Sequence, residues 1–136
     1  MVQNDTGEEG LAMLRLRQRR HTRPSIALAV ARVLVDAGPQ TAGLVRENVD
    51  QYGEVEPTVL LADLARWYVA ASLGPVAGSR AVADRVVVAL AQEFRDGDDV
   101  MRAVIATAFL DVLPRPGELG HEVVARLPRR LGRQLA

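Results

Sequence analysis

The sequence predicts an all-α protein, a compact single-domain bundle of about five to seven helices. Residues 79–113 carry the prediction: Val82, Val86, Leu90 and Phe94 recur every fourth position, and Met101, Val104, Ile105, Ala108 and Val112 resume helical spacing after Gly97-Asp98-Asp99. Proline and glycine fall at the edges of the apolar stretches, at Gly38-Pro39, Pro57, Gly74-Pro75 and Pro114. The 136 residues, 49% hydrophobic and 25% charged, suffice for one core without disulfides or metal.

Taken in order, the first ten residues are polar, and residues 1–23 form a basic arm ahead of a bundle domain spanning 24–136. After Pro24, Ser25 can cap a helix to Asp36 with Ile26, Leu28, Val30, Val33 and Leu34 available to the core, and Gly38-Pro39 ends it. A helix from Thr41 to about Asp50 leads into a loop at Gly53. Pro57 suits the first turn of the next helix, where its missing N–H does no harm. Leu60, Leu64, Trp67 and Ala71 line that helix, and Trp67 is the expected core anchor. Ser79 is the expected cap of the long hairpin. Its Val86-Val87-Val88 run has strand propensity, but the flanking periodicity favours helix. A last helix from Gly117 places Val124, Leu127, Leu131 and Leu135 inward, and Pro128 should kink or split it.

With no cysteine, the chain has no disulfide, thiolate nucleophile or Cys-ligated zinc, and a reducing cytoplasm is the expected compartment. No apolar run approaches the ~20 residues of a membrane span. All 17 basic residues are arginine, but the abundant Ala, Val, Leu and Gly fit a GC-rich coding sequence, so arginine identity says little about function. Charge is unevenly placed. The ends are basic, whereas residues 36–63 set Asp36, Glu47, Asp50, Glu54, Glu56 and Asp63 against Arg46 alone. Such a stretch creates a local negative field able to steer a basic partner, or it forms an ordinary solvated face.

No pattern of catalysis emerges, and the expectation is that the chain is not an enzyme. Phosphate-loop, dinucleotide and nucleophile-elbow motifs are missing. His21 and His121 are far apart in sequence and each reads as solvent-exposed, so neither a metal site nor a cofactor is expected. Asp96, Asp98 and Asp99 lack the spacing of a calcium loop; Asp98 or Asp99 better serves as a helix cap. Asp63, Asp84 and Asp111 are expected to pair with arginines such as Arg66, Arg80 or Arg115.

Two basic stretches define the alternative reading, a nucleic-acid-binding or regulatory protein. Residues 15–23, RLRQRRHTR, hold Arg15, Arg17, Arg19, Arg20 and Arg23 without an aromatic for base stacking. Arg126, Arg129, Arg130 and Arg133 would lie opposite the leucines of the last helix. Charge pairing with the acidic body, or plain solvation, explains both as well. In a helix-turn-helix over residues 30–48 the second, recognition helix would carry Arg46 as its only cation, which is poor for DNA.

PTVLLADLARW at residues 57–67 and VIATAFLDVL at 104–113, with the amphipathic helix and Gly-Asp turn between them, resemble a family of small bacterial helical proteins similar to the immunity proteins of toxin systems. The likeness covers roughly residues 25–113 and rests on apolar helix patterns. It implies an all-α fold and no catalytic residues. Together with the charge pattern it points to a protein-binding domain whose partner is another protein, a basic toxin or effector met by Glu47, Asp50, Glu54, Glu56 and Asp63. A structural subunit completed by homo-oligomerisation is a third expectation.

Overall fold

A computed structural model describes residues 24–135; the arm with Arg15, Arg17, Arg19, Arg20, Arg23 and His21 lies outside the described residues. The described chain is all-α: α1 (Pro24–Ala37), α2 (Pro39–Tyr52), α3 (Pro57–Leu73), α4 (Ala77–Asp96) and α5 (Asp99–Ala108). A 3-10 turn at Leu110–Val112 follows, and then a C-terminal segment of 3-10 turn (His121–Arg126), one α-turn α6 (Arg129–Gly132) and 3-10 turn (Arg133–Leu135). No strand occurs among the described residues, Val86-Val87-Val88 included.

The helix boundaries follow from proline, glycine and two side-chain caps. Pro39 and Pro57 open α2 and α3 in their first turns, where no N–H is required. Glu56 caps α3, its carboxylate accepting from the Thr58 N–H at 3.3 Å. Asp98 caps α5, accepting from the Met101 N–H at 2.9 Å, as its position in the acidic turn predicts. Gly97 is required there, because a Cβ would lie 2.7 Å from both the Glu93 carbonyl oxygen and Met101. Ser79 does not cap α4. That helix starts two residues earlier, at Ala77, with Val76 as its uncapped first neighbour. Ser25 likewise lies inside the first turn of α1 rather than ahead of it. Pro128 splits the expected last helix, because its ring and missing N–H interrupt the ladder between the 3-10 turn and α6.

The core forms where the apolar faces meet. Val30 and Leu34 of α1, Leu60, Leu61 and Leu64 of α3, Val86 and Leu90 of α4, and Ile105 of α5 are fully buried. Phe109, Leu110, Val123 and Leu131 complete the core from the C-terminal side. Trp67 is only partly buried, whereas its neighbour Tyr68 is fully enclosed. The reason is register. Leu60, Leu61, Leu64, Ala65, Tyr68 and Ala71 make the buried face of α3, and Trp67 stands at its edge.

Tyr68 joins three parts of the chain. Its hydroxyl donates to the Val123 carbonyl at 3.3 Å, and its ring packs on Phe109 with centroids 6.1 Å apart and planes tilted by 59°. Burial raises its pKa above the ordinary 10.0; the nearby Ser72 hydroxyl and Arg126 guanidinium pull against that rise. Ser72 Oγ is itself buried and makes no hydrogen bond of normal geometry, so its influence on Tyr68 is one of proximity.

Because the folded state holds Tyr68 neutral above the pH at which the unfolded chain ionises, its contribution is complete below pH 10 and is lost as pH rises through the higher folded value. Urea midpoints measured between neutral and strongly alkaline pH should therefore fall more steeply for the wild type than for Tyr68→Phe. At neutral pH the variant should be less stable by about 1 kcal/mol, the worth of the bond to Val123.

Candidate protein-binding surface

The connection between α2 and α3 is built on a polar clamp. Asn48, 3% exposed, receives the Glu56 N–H on Oδ1 at 2.7 Å and donates from Nδ2 to the Glu56 carbonyl at 3.2 Å. One buried side chain thereby bonds both backbone groups of the residue that caps α3, whose carbonyl also accepts from the Leu60 N–H at 3.0 Å. At the other end of α2, Thr41 Oγ1 donates to the Leu34 carbonyl at 2.6 Å and lies 3.1 Å from that of Gly38. α2 buries these two polar residues where the other long helices bury mainly apolar side chains, and it leaves Glu47 and Asp50 exposed.

The five acidic residues expected to meet a partner have unequal roles. Glu47 and Asp50 project from α2, one residue before and two after the clamp. Glu54 stands on the exposed turn that follows Gly53. Glu56 is half-buried and its carboxylate also accepts from Thr58 Oγ1 at 2.8 Å, so it serves the fold as a cap. Glu54 and Glu56 are both already engaged in interactions within the chain. Asp63 lies about two turns along α3 and pairs with Arg66 at 3.1 Å, as its spacing predicts. Four of the five acids therefore surround one connection, and Asp63 lies apart from it.

The C-terminal arginines do not form one free stripe. Arg126 reaches α4 and pairs with Asp84 at 3.1 Å, an exposed bridge that contributes little stability. Arg129, Arg130 and Arg133 are exposed beyond Pro128. Asp84 thus finds its arginine 42 residues away rather than in Arg80 or Arg115. Arg80 instead donates to the Gly74 carbonyl at 2.6 Å, Arg85 to Ala37 at 3.0 and 3.1 Å, and Arg102 to Gly97 at 2.6 Å. These three guanidiniums cover the C-terminal ends of α3, α1 and α4, where carbonyls lack helical partners and the helix dipole is negative. For Arg80 and Arg102 the sequence signal is an arginine in the first turn of the following helix, whereas Arg85 lies in the middle of α4 and finds its carbonyl through tertiary packing.

His121 is half-buried rather than solvent-exposed: its Nδ1 lies 3.1 Å from the Pro114 carbonyl, which selects the tautomer carrying hydrogen on Nδ1. A cavity of about 330 Å³ beside it is lined by Leu110, Leu113, Val124 and Leu135 together with Asp111 and Arg115. Leu135 is accordingly not an inward core residue, being 39% exposed. A groove of about 410 Å³ separates α1 from α4 along Val33, Ala37, Val88 and Ala89. Among the described residues no group of three His, Asp or Glu is placed to hold a metal ion, and no helix is long and apolar enough to cross a membrane.

Comparison with protein-family models, curated proteins and solved structures finds no match to this chain.

The clamp has a measurable weight. Asn48→Ala should lower the unfolding free energy in urea by about 1–3 kcal/mol, because it leaves the Glu56 N–H without its partner, while the Glu56 carbonyl keeps its bond from the Leu60 N–H. Glu47→Ala, one residue away and solvent-facing, should change it by less than about 0.5 kcal/mol.

Proposed function

We propose that this chain is a non-enzymatic protein-binding domain, and most concretely an immunity-type inhibitor that covers a basic surface of a bacterial toxin or effector. The observation that supports the reading is the α2–α3 connection: Glu47 and Asp50 are exposed on a helix whose end is fixed by the Asn48 clamp. Charges on a rigid frame meet a basic partner without the ordering cost that a loop would add, and they accelerate encounter through their field. Within that surface Glu47 and Asp50 are the contact residues, Glu54 extends the field, and Glu56 supports the frame. Asp63, paired with Arg66 farther along α3, lies at its margin.

A test must spare the cap. The double variant Glu47→Arg and Asp50→Arg should keep the wild-type Tm while losing capture of a protein partner from the native cytosol at physiological salt. Retention of the same nuclease-resistant partner by that variant would refute the acidic-surface reading. Co-purification of nucleic acid, lost on nuclease or salt treatment and on removal of residues 1–23, would instead identify the basic arm as the binding element. The second reading has less behind it in the C-terminal segment, where Arg126 is already paired with Asp84.

A further inference from the structure

The groove of about 410 Å³ between α1 and α4 is lined by Val33 and Ala37 from one helix and by Val88 and Ala89 from the other. Val88 stands 51% exposed there. A second hollow of about 420 Å³ along Val87 and Pro128 shares Asp84 and Val88 with the first, so apolar surface continues across α4. The charge the groove has to spare is negative. Arg85 is committed to the Ala37 carbonyl and Asp84 to Arg126, whereas Asp36, also on the groove, has no ion pair among the described residues.

The chain itself carries a segment of matching chemistry. Residues 1–23 precede Pro24, where α1 begins, and their apolar side chains gather in residues 11–16, LAMLRL, with Arg15 among them. A residue before proline is biased away from the helical region, so Arg23 favours a change of direction over a straight extension of α1. Length then selects what can lie beside what. At about 1.5 Å per residue, Val33 to Ala37 stand about 14–20 Å along α1 from Pro24. Leu16 to Leu11, rich in good helix formers, reach about 12–20 Å back from Pro24 at the same rise. The apolar run of the arm comes level with the groove.

We propose that residues 11–16 of this chain turn back along α1 and fill the α1–α4 groove, with Leu11 and Leu14 on Val33, Ala37, Val88 and Ala89 and with Arg15 paired to Asp36. The tether favours this occupant over any separate protein, because it holds the arm at an effective concentration on the order of millimolar. Docking also takes the leucines out of water. It brings a cation to the acid that the bundle leaves without an ion pair, in a groove whose own arginine is already engaged. The groove is built by α1 and α4 rather than by the α2–α3 connection, so the docking stands whether or not the acidic surface binds a protein.

Pulsed electron paramagnetic resonance on the full chain tests the docking. The chain has no cysteine, so Ala12→Cys and Val35→Cys carry two spin labels at chosen places, and Val35 is exposed without lining the groove. The expected result is one narrow distance of about 20 Å, that of a segment one helix spacing from α1 with the label arms added. An undocked arm would give a broad distribution instead, since a flexible stretch from residue 12 to Pro24 wanders by about 20 Å. Leu11→Ser with Leu14→Ser, which changes no residue of the bundle, should abolish the narrow distance, and so should Val88→Asp. Where Val88→Asp fails to fold, Val88→Gln takes its place. Arg15→Asp and Asp36→Arg should each broaden the distance, and the two together should restore it. A broad distribution in the labelled parent overturns the proposal and leaves the groove open to a foreign protein. A narrow distance lost on dilution into unlabelled chain overturns it in favour of a second copy. So does a narrow distance that the Val88 substitution leaves intact, or a charge exchange that restores nothing.

Discussion

The burial of Tyr68 is the interaction on which the arrangement of the described chain depends. The five long helices cover one another through aliphatic contacts that many sequences could supply, but the C-terminal segment has only short turns and one helical turn of its own. Such pieces are not stable in isolation. They hold their place because Val123, Leu127 and Leu131 enter the core and because the Tyr68 hydroxyl meets the Val123 carbonyl across 55 residues of chain. Phe109, against the Tyr68 ring, sets the point at which α5 stops and the chain turns toward that segment. The cavity beside His121 is walled on one side by this segment, through Val124, Gly132 and Leu135.

A second constraint is the treatment of helix ends. Three arginines from the body of the chain bind carbonyls at the ends of α1, α3 and α4: Arg80 and Arg102 reach back from the first turn of the next helix, and Arg85 acts from the middle of α4 onto α1. An arginine fork suits this task because it donates twice in a fixed plane, as Arg85 does to Ala37. The all-arginine composition therefore has structural uses inside the domain, apart from any partner. Together with the Asn48 and Thr41 clamps on α2, these bonds satisfy backbone groups that apolar packing would otherwise leave without partners.

Much of the fold was legible in the sequence because the long helices are strongly periodic. Val82, Val86, Leu90 and Phe94 all face inward, and Asp98 caps α5 as a short acidic side chain before a helix should. Trp67 and Tyr68 could not be separated by size or hydropathy; only the rotation of α3 against its neighbours assigns one to the core and the other to its margin. Ser79 was an attractive cap by residue type, yet packing extends α4 by one turn fragment and makes Val76 the boundary. In the candidate site, Glu47 and Asp50 were recognisable from charge alone. The double role of Glu56 and the clamp by Asn48 were not, since both depend on a bond between residues eight apart that composition does not reveal.

The central claim is that the C-terminal segment belongs to the cooperative core through Tyr68 and Val123, despite its irregular backbone. Native-state hydrogen exchange of the Val123, Leu127 and Leu131 amides, which donate to Gly120, Val124 and Pro128, measures this directly. The account predicts protection at these three amides approaching that of Leu64 and Leu90 in the long helices, reporting opening only with the whole domain. Exchange at the rate of a fraying end, while α3 and α4 stay protected, would contradict it.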